Sequence, residues 1–241
     1  MNTHTIQNAH ALMDSLNPAG QPTVVFAQRS EKHIENSGKH VGILDASFNP
    51  LTCAHEALAH YAQKAFNFDE QIFLLAKANV DKDLFGANLA QRLAMLMAYA
   101  GKNASVAGCS HARFVDKAQA LTSALPNDTQ IYFLMGHDTL IRIFDPRYYT
   151  DMAAELHALF SLCHIVSANR ADQNEEAFET FMSRPECAPF ANRVHPLHLP
   201  ASFGNISSTD VRKRIQNDQP IDDLVPRKIA RCIETWELYQ T

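Results

Sequence analysis

Short apolar runs alternate with helix-period segments along most of this chain, and that alternation restricts its fold more than any other feature. Val41-Gly42-Ile43-Leu44 ends at the polar turn Ser47-Phe48-Asn49-Pro50, and a helix-period segment from Cys53 to Phe66 follows. The pattern predicts strands over Gln71 to Ala76, Ser105 to Gly108, Gln130 to Met135, Leu162 to Ser167 and Val194 to Leu199. Helices are predicted between them over Asn88 to Ala100, Lys117 to Leu125, His137 to Phe144, Tyr149 to Phe160 and Glu175 to Ser183. Strands separated by helices imply right-handed parallel crossovers, so the expected fold is α/β, a Rossmann-like doubly wound parallel sheet. Ligands of such sheets bind beyond the carboxyl ends of the strands.

Two more helices are expected after the last strand, Ser208 to Gln216 and Pro226 to Tyr239, forming a C-terminal helical tail. Residues 40–241 then make a single domain that includes these helices from about residue 206. Residues 1–39 form an N-terminal extension with a helix near Ala11 to Leu16 and a strand-like Thr23 to Ala27, whose role is not legible. A chain of 241 residues, 46% of them hydrophobic, can bury the core of one such domain.

Charge and cysteine usage narrow the partners. A net charge of −5 lacks the basic excess of a broad nucleic-acid or membrane-surface footprint, so neither partner is expected. No apolar run approaches the roughly 18 residues of a membrane span, and Met1 to Gly20 has neither the basic nor the apolar part of a secretion signal. Five scattered cysteines without a C-x-x-C spacing read as free thiols. A cytoplasmic location follows as the expectation, or a nuclear one in a eukaryote; a homo-oligomer is compatible with the sequence and not dictated by it.

Two motifs at opposite ends of the chain carry the chemistry. Each places small or hydroxyl residues at the mouth of a predicted helix, where unpaired backbone N–H groups and the helix dipole attract anions. In Ser47-Phe48-Asn49-Pro50-Leu51-Thr52-Cys53-Ala54-His55, Phe48 can plug the core beneath the turn, Ser47 offers a hydroxyl and an N–H, and His55 follows Thr52 by one helical turn. In Ile206-Ser207-Ser208-Thr209-Asp210-Val211-Arg212, hydroxyls precede an arginine. Taken singly, each also reads as an ordinary capped helix start.

Ser-Phe-Asn-Pro-x-Thr-x-x-His resembles the first signature of the nucleotidylyltransferase superfamily, and Ile-Ser-Ser-Thr-x-x-Arg resembles its second. Within it the chain is most similar to nicotinamide mononucleotide adenylyltransferases of eukaryotic and fungal type, which use Thr at the position of Thr52. Gly136-His137-Asp138 resembles that family's Gly-x-Asp, and the segment from Ile221-Asp222-Asp223-Leu224-Val225-Pro226 to Trp236-Glu237-Leu238-Tyr239 resembles its C-terminal region. The glycines usual beside the first motif are absent, with Ala46 before Ser47 and Ala54 before His55.

The resemblance implies ATP and a mononucleotide as substrates, with NAD and pyrophosphate as products. His55 and Arg212 would be catalytic, with Lys82 near the substrate phosphates. Ser47, Phe48 and Thr52 would cradle the nucleotide, Ser207, Ser208 and Thr209 would bind the β- and γ-phosphates, and Gly136 and Asp138 would meet a ribose. Asp138 and Lys82 read equally as a helix cap and a solvated loop lysine. Tyr149 falls near a position where the family stacks the pyridine ring, commonly on a Trp; the sole Trp here, Trp236, is in the tail. Mg²⁺ is expected, held mainly by ATP phosphates, so His195-x-x-His198 and Cys109-x-His111 are not read as metal sites. The alternatives are a sister enzyme using CTP or another phosphorylated acceptor, and a nucleotide-binding regulator without turnover.

Overall fold

A computed structural model describes residues 3–78, 86–168 and 175–240. Its frame is a seven-stranded sheet built from β1 (Val24–Gln28), β2 (His40–Asp45), β3 (Glu70–Ala76), β4 (Ser105–Cys109), β5 (Gln130–Gly136), β6 (Cys163–Ala168) and β7 (Val194–Leu197). The order is β1-β4-β3-β2-β5-β6-β7, and all neighbours are parallel except β1, which runs antiparallel to β4. The doubly wound sheet expected from the alternation is the one observed.

β2 is the hinge of this topology. Leu44 pairs with Phe73 of β3 on one side and Leu134 of β5 on the other, so the chain winds outward in both directions from it. The crevice at the carboxyl end of β2 is therefore the switch point at which such sheets take ligands. Ile43, Ile72, Leu74, Phe133 and Ile165 are almost fully buried, as strands covered on both faces must be.

One face is covered by α1 (Thr3–Ser15), α2 (Cys53–Phe66), α3 (Leu89–Ala100), α8 (Ser208–Gln216) and α9 (Arg227–Thr235), around Phe48, Leu58, Phe73, Leu93 and Ile229. The other carries α4 (Phe114–Ala124), α5 (His137–Ile143), α6 (Met152–Leu162) and α7 (Glu175–Met182), around Leu121, Phe133, Leu140, Phe160 and Phe181. No helix among the described residues is long and apolar enough to cross a membrane.

Several elements differ from their expected bounds, each for a local reason. α4 starts at Phe114 rather than Lys117, which puts the acidic Asp116 in its first turn, where the helix dipole favours it. Tyr149 is not helical: Pro146–Tyr148 forms a 3₁₀ turn, and Asp151 caps α6 by accepting from the Ala154 amide at 3.0 Å. α9 stops at Thr235, four residues before Tyr239.

The N-terminal segment is woven into the same sheet. β1 supplies its antiparallel edge, with Val25 opposite Gly108. α1 runs the length of Thr3–Ser15, longer than the helix expected near Ala11 to Leu16, because Ala9 and Met13, with Leu16 just beyond, bury against the core. Gly108 makes that docking possible, since a Cβ there would stand 2.9 Å from Leu16 Cδ1 and 3.0 Å from Leu12 Cδ2.

Candidate active site

The loop between β2 and α2 is shaped by one buried aromatic residue. Phe48 lies in the left-handed region at φ 43 with only 1% of its surface exposed, packed edge-on against Phe73 at 6.0 Å and tilted against His55 at 5.3 Å. A left-handed non-glycine residue costs about 1–2 kcal/mol. Burying a phenylalanine returns about 1.5–3 kcal/mol, so packing offsets the strain and fixes the loop. Ser47 stays exposed at its crest, while Thr52, fully buried, becomes the N-cap of α2.

His55 reaches back to that cap. Its Nδ1 accepts the Thr52 amide at 3.0 Å and lies 2.8 Å from the Thr52 hydroxyl. With Nδ1 accepting, a neutral ring carries its proton on Nε2, which leaves that nitrogen as a donor. Burial holds the imidazole pKa down to about 4. At neutral pH His55 is thus a neutral, oriented N–H donor and not a cation.

The second motif is stitched directly onto the first. The Ser208 hydroxyl donates to the Pro50 carbonyl at 2.7 Å, and Arg212 Nη1 donates to the Asn49 carbonyl at 2.6 Å, across 158 and 163 residues of sequence. Arg212 Nη2 also donates to the Thr209 hydroxyl at 3.2 Å. Ser207 caps α8 by accepting from the Asp210 amide at 3.2 Å. The Cys53 amide donates to the Leu224 carbonyl at 2.8 Å, drawing the segment before α9 to the mouth of α2. Two helix N-termini therefore meet at one edge of the sheet, with His55 in one and Arg212 in the other. The Ser207 hydroxyl is engaged with Asp210 and the Ser208 hydroxyl ties the motifs together, while Thr209 is exposed.

A cleft of about 410 Å³ opens beside this junction, walled by Asp45, Ser47, Arg92, Arg113, Lys117 and Tyr149 among others. Its size suits a mononucleotide-sized ligand. On its floor Lys117 Nζ meets Asp45 Oδ2 at 2.7 Å, with side chains only 5% and 9% exposed. Tyr149 is half-buried on the wall, and its hydroxyl donates to the Ile143 carbonyl at 2.5 Å. Burial raises that phenol to about 12, so it remains protonated. Phe144, by contrast, is core, stacked on Phe160 at 5.8 Å.

The remaining expected residues divide. Gly136 caps α5 in open space, where a Cβ would meet nothing within 4 Å. Asp138 is exposed in the first turn of α5, off the cleft wall that Thr139 joins. Lys82 lies outside the described residues. Among the described residues no group of three or more His, Cys, Asp or Glu side chains converges on a metal-sized space. His195 Nε2 is engaged with His164 Nδ1 at 3.0 Å.

Three participants escape sequence reading. Arg92 is 2% exposed, donating from Nε to the Ala87 carbonyl at 2.7 Å and from Nη1 to the Ser47 carbonyl at 3.3 Å. Its one signal is a charged residue inside the mostly apolar Leu89–Ala100 helix. Lys117 and Asp45 show none, since they meet only through the fold.

A switch-point cleft that shares the Ser47 loop with two abutting helix N-termini is the arrangement of a nucleotide-binding α/β protein. The cytidylyltransferase-like family model matches residues 43–214, a span that contains both motifs, and the chain belongs to that family. A Schizosaccharomyces pombe protein named as a nicotinamide mononucleotide adenylyltransferase is 34% identical over 227 residues, covering 87% of this chain and 90% of that one. A Clostridium botulinum protein named as a nicotinate-nucleotide adenylyltransferase is 27% identical over 209 residues, covering 84% and 98%. Plasmodium falciparum nicotinic acid mononucleotide adenylyltransferase, solved with NaAD, superposes with a TM-score of 0.59 at 17% identity over 83% of this chain and 97% of that one. Its complex with APC gives 0.60 at 15% identity. At such identities the superposition establishes a common fold.

Proposed function

We propose that this protein transfers the adenylyl group of ATP to nicotinamide mononucleotide, or its nicotinate counterpart, releasing pyrophosphate and forming NAD or its acid precursor. The observation that supports this reading is the bonding of Arg212 and Ser208 to the Asn49 and Pro50 carbonyls, which joins the two motifs beside a mononucleotide-sized cleft. The pyridine-nucleotide adenylyltransferase names of the relatives, one of them 34% identical, support the choice of donor and acceptor.

The reaction needs no protein base. A mononucleotide phosphate has its second pKa near ~6 and is mostly dianionic at neutral pH. One of its oxygens attacks the α-phosphorus of ATP in line; a new P–O bond forms, the α–β bridging bond breaks, and the electron pair leaves with pyrophosphate. Catalysis is positioning and charge stabilisation. In this scheme the His55 Nε2–H donates to the α-phosphoryl oxygens as charge shifts, while Arg212, Thr209 and the first amides of α8 hold the β- and γ-phosphates. Ser47 and Gly136 leave room for close backbone approach, Tyr149 lies along the acceptor's ring, and Asp138 takes a ribose hydroxyl. Bound mainly by the ATP phosphates and water, Mg²⁺ would supply charge screening for the leaving pyrophosphate.

Pyrophosphate release measured with ATP or CTP against a panel of acceptors tests the proposal. We expect turnover with ATP and either pyridine mononucleotide. Release only with CTP and a phosphoalcohol, or ATP binding without any product, would overturn it.

A further inference from the structure

Beyond α9 the chain leaves helical geometry and folds back onto the first motif. Glu237 and Tyr239 take φ values of 49° and 68°, a left-handed turn that side chains rarely adopt. The turn delivers the Tyr239 ring, 6% exposed, into a seat that only glycine permits: a Cβ on Gly86, itself at φ +74, would come within 2.8 Å of the ring and 3.2 Å of Asn49 Oδ1. Inside that seat the Tyr239 hydroxyl is buried without a hydrogen-bond partner. Burying an unpartnered hydroxyl is unfavourable, and phenylalanine would fill the same space without the penalty. Packing therefore gives the oxygen no reason to be there.

Its neighbours do. Arg92 donates to the Ala87 carbonyl next to Gly86, and Arg212 to the carbonyl of Asn49, whose side chain lines the same seat, so the charge of both guanidinium ions falls on the Tyr239 phenol. Those arginines grip the carbonyls of Ser47 and Asn49, the two residues flanking Phe48. Each guanidinium carries five N–H groups, so it can keep its loop carbonyl and still turn others to a polyphosphate, and two cations must stay close while they hold it. We propose that Tyr239 is a positioning residue of the polyphosphate site, its hydroxyl being the group that the Arg92 and Arg212 guanidinium ions share while they hold the ligand from the loop. A phenol supplies lone pairs without cancelling the positive charge, as a carboxylate would. Burial raises its pKa, so it stays neutral in use. The C-terminal tail thereby completes a site whose other parts lie in the first loop, α3 and α8.

This inference rests on reading the paired motifs as the ATP site. The test is Tyr239→Phe, compared with the native protein for ATP KM, acceptor KM and Tm, with calorimetric ATP binding alongside. We expect ATP KM and Kd to rise about tenfold, the loss of a hydrogen bond to a charged group, with acceptor KM and Tm not worsened. Unchanged ATP kinetics and binding, or a uniform loss that tracks a lowered Tm, would overturn the role of Tyr239. Absence of product from the native protein would instead overturn the ATP-site reading, and the binding arm still reports on Tyr239.

Discussion

Replacing His55 with alanine is expected to lower kcat by about 10²–10³-fold, the usual loss for one donor aimed at developing transition-state charge. ATP affinity should change far less. Because its Nδ1 is committed to the Thr52 amide, the ring is locked in one tautomer and presents Nε2–H, a donor whose contact strengthens as the α-phosphorus is attacked. Burial keeps it neutral down to about pH 4, so no charge on the ring contributes to ground-state binding. Steady-state kinetics with calorimetric ATP binding separate the two effects. An equal loss in kcat and affinity would make His55 a binding residue only.

The second large effect is on stability. Lys117 and Asp45 form an ion pair with side chains 5% and 9% exposed, and Lys117 also stands over the Phe114 ring at 4.8 Å. Removing one partner of a buried pair strands the other charge and costs about 3–5 kcal/mol. Lys117→Ala should therefore shift the urea midpoint strongly downward. Replacing both partners with neutral residues, Asp45→Asn with Lys117→Met, should recover most of that loss, since apolar replacement of a whole pair is often near neutral. The double variant should still lose acceptor binding if the pair shapes the cleft floor. A single variant as stable as the native protein would contradict the account of the pair.

How far the sequence spoke for the fold depended on where the deciding force was local. The bounds of α2 and α8 are legible because a cap residue, Thr52 or Ser207, announces each start. The central strands are legible because burial on both faces leaves uninterrupted apolar runs such as Ile72 to Leu75. β1 gives a weaker signal, since all five of its residues are only partly buried, and nothing in its sequence declares an antiparallel edge. Tyr149 reads as helical on apolar spacing, but Asp151 offers a better cap two residues later.

The site divides the same way. His55, Arg212 and the hydroxyls around Ser208 stand in contiguous motifs, and the structure brings them within hydrogen-bonding reach of one loop. Arg92, Lys117 and Asp45 belong to α3, α4 and β2, and Tyr239 to the tail after α9, and only the folded sheet assembles them around the cleft and the loop. Their roles are tertiary and carry no spacing. The alanines at positions 46 and 54, where the related signatures have glycine, leave Ser47 exposed and His55 in place, so an extra methyl does not displace either motif residue.

The central claim is adenylyl transfer to a pyridine mononucleotide. It is tested most directly by supplying ATP labelled at the α-phosphorus with nicotinamide mononucleotide and Mg²⁺, and following the label. The account predicts that the label appears in a dinucleotide, in a one-to-one ratio with unlabelled pyrophosphate. Label that stays in ATP, or leaves as free AMP without any dinucleotide, would contradict it.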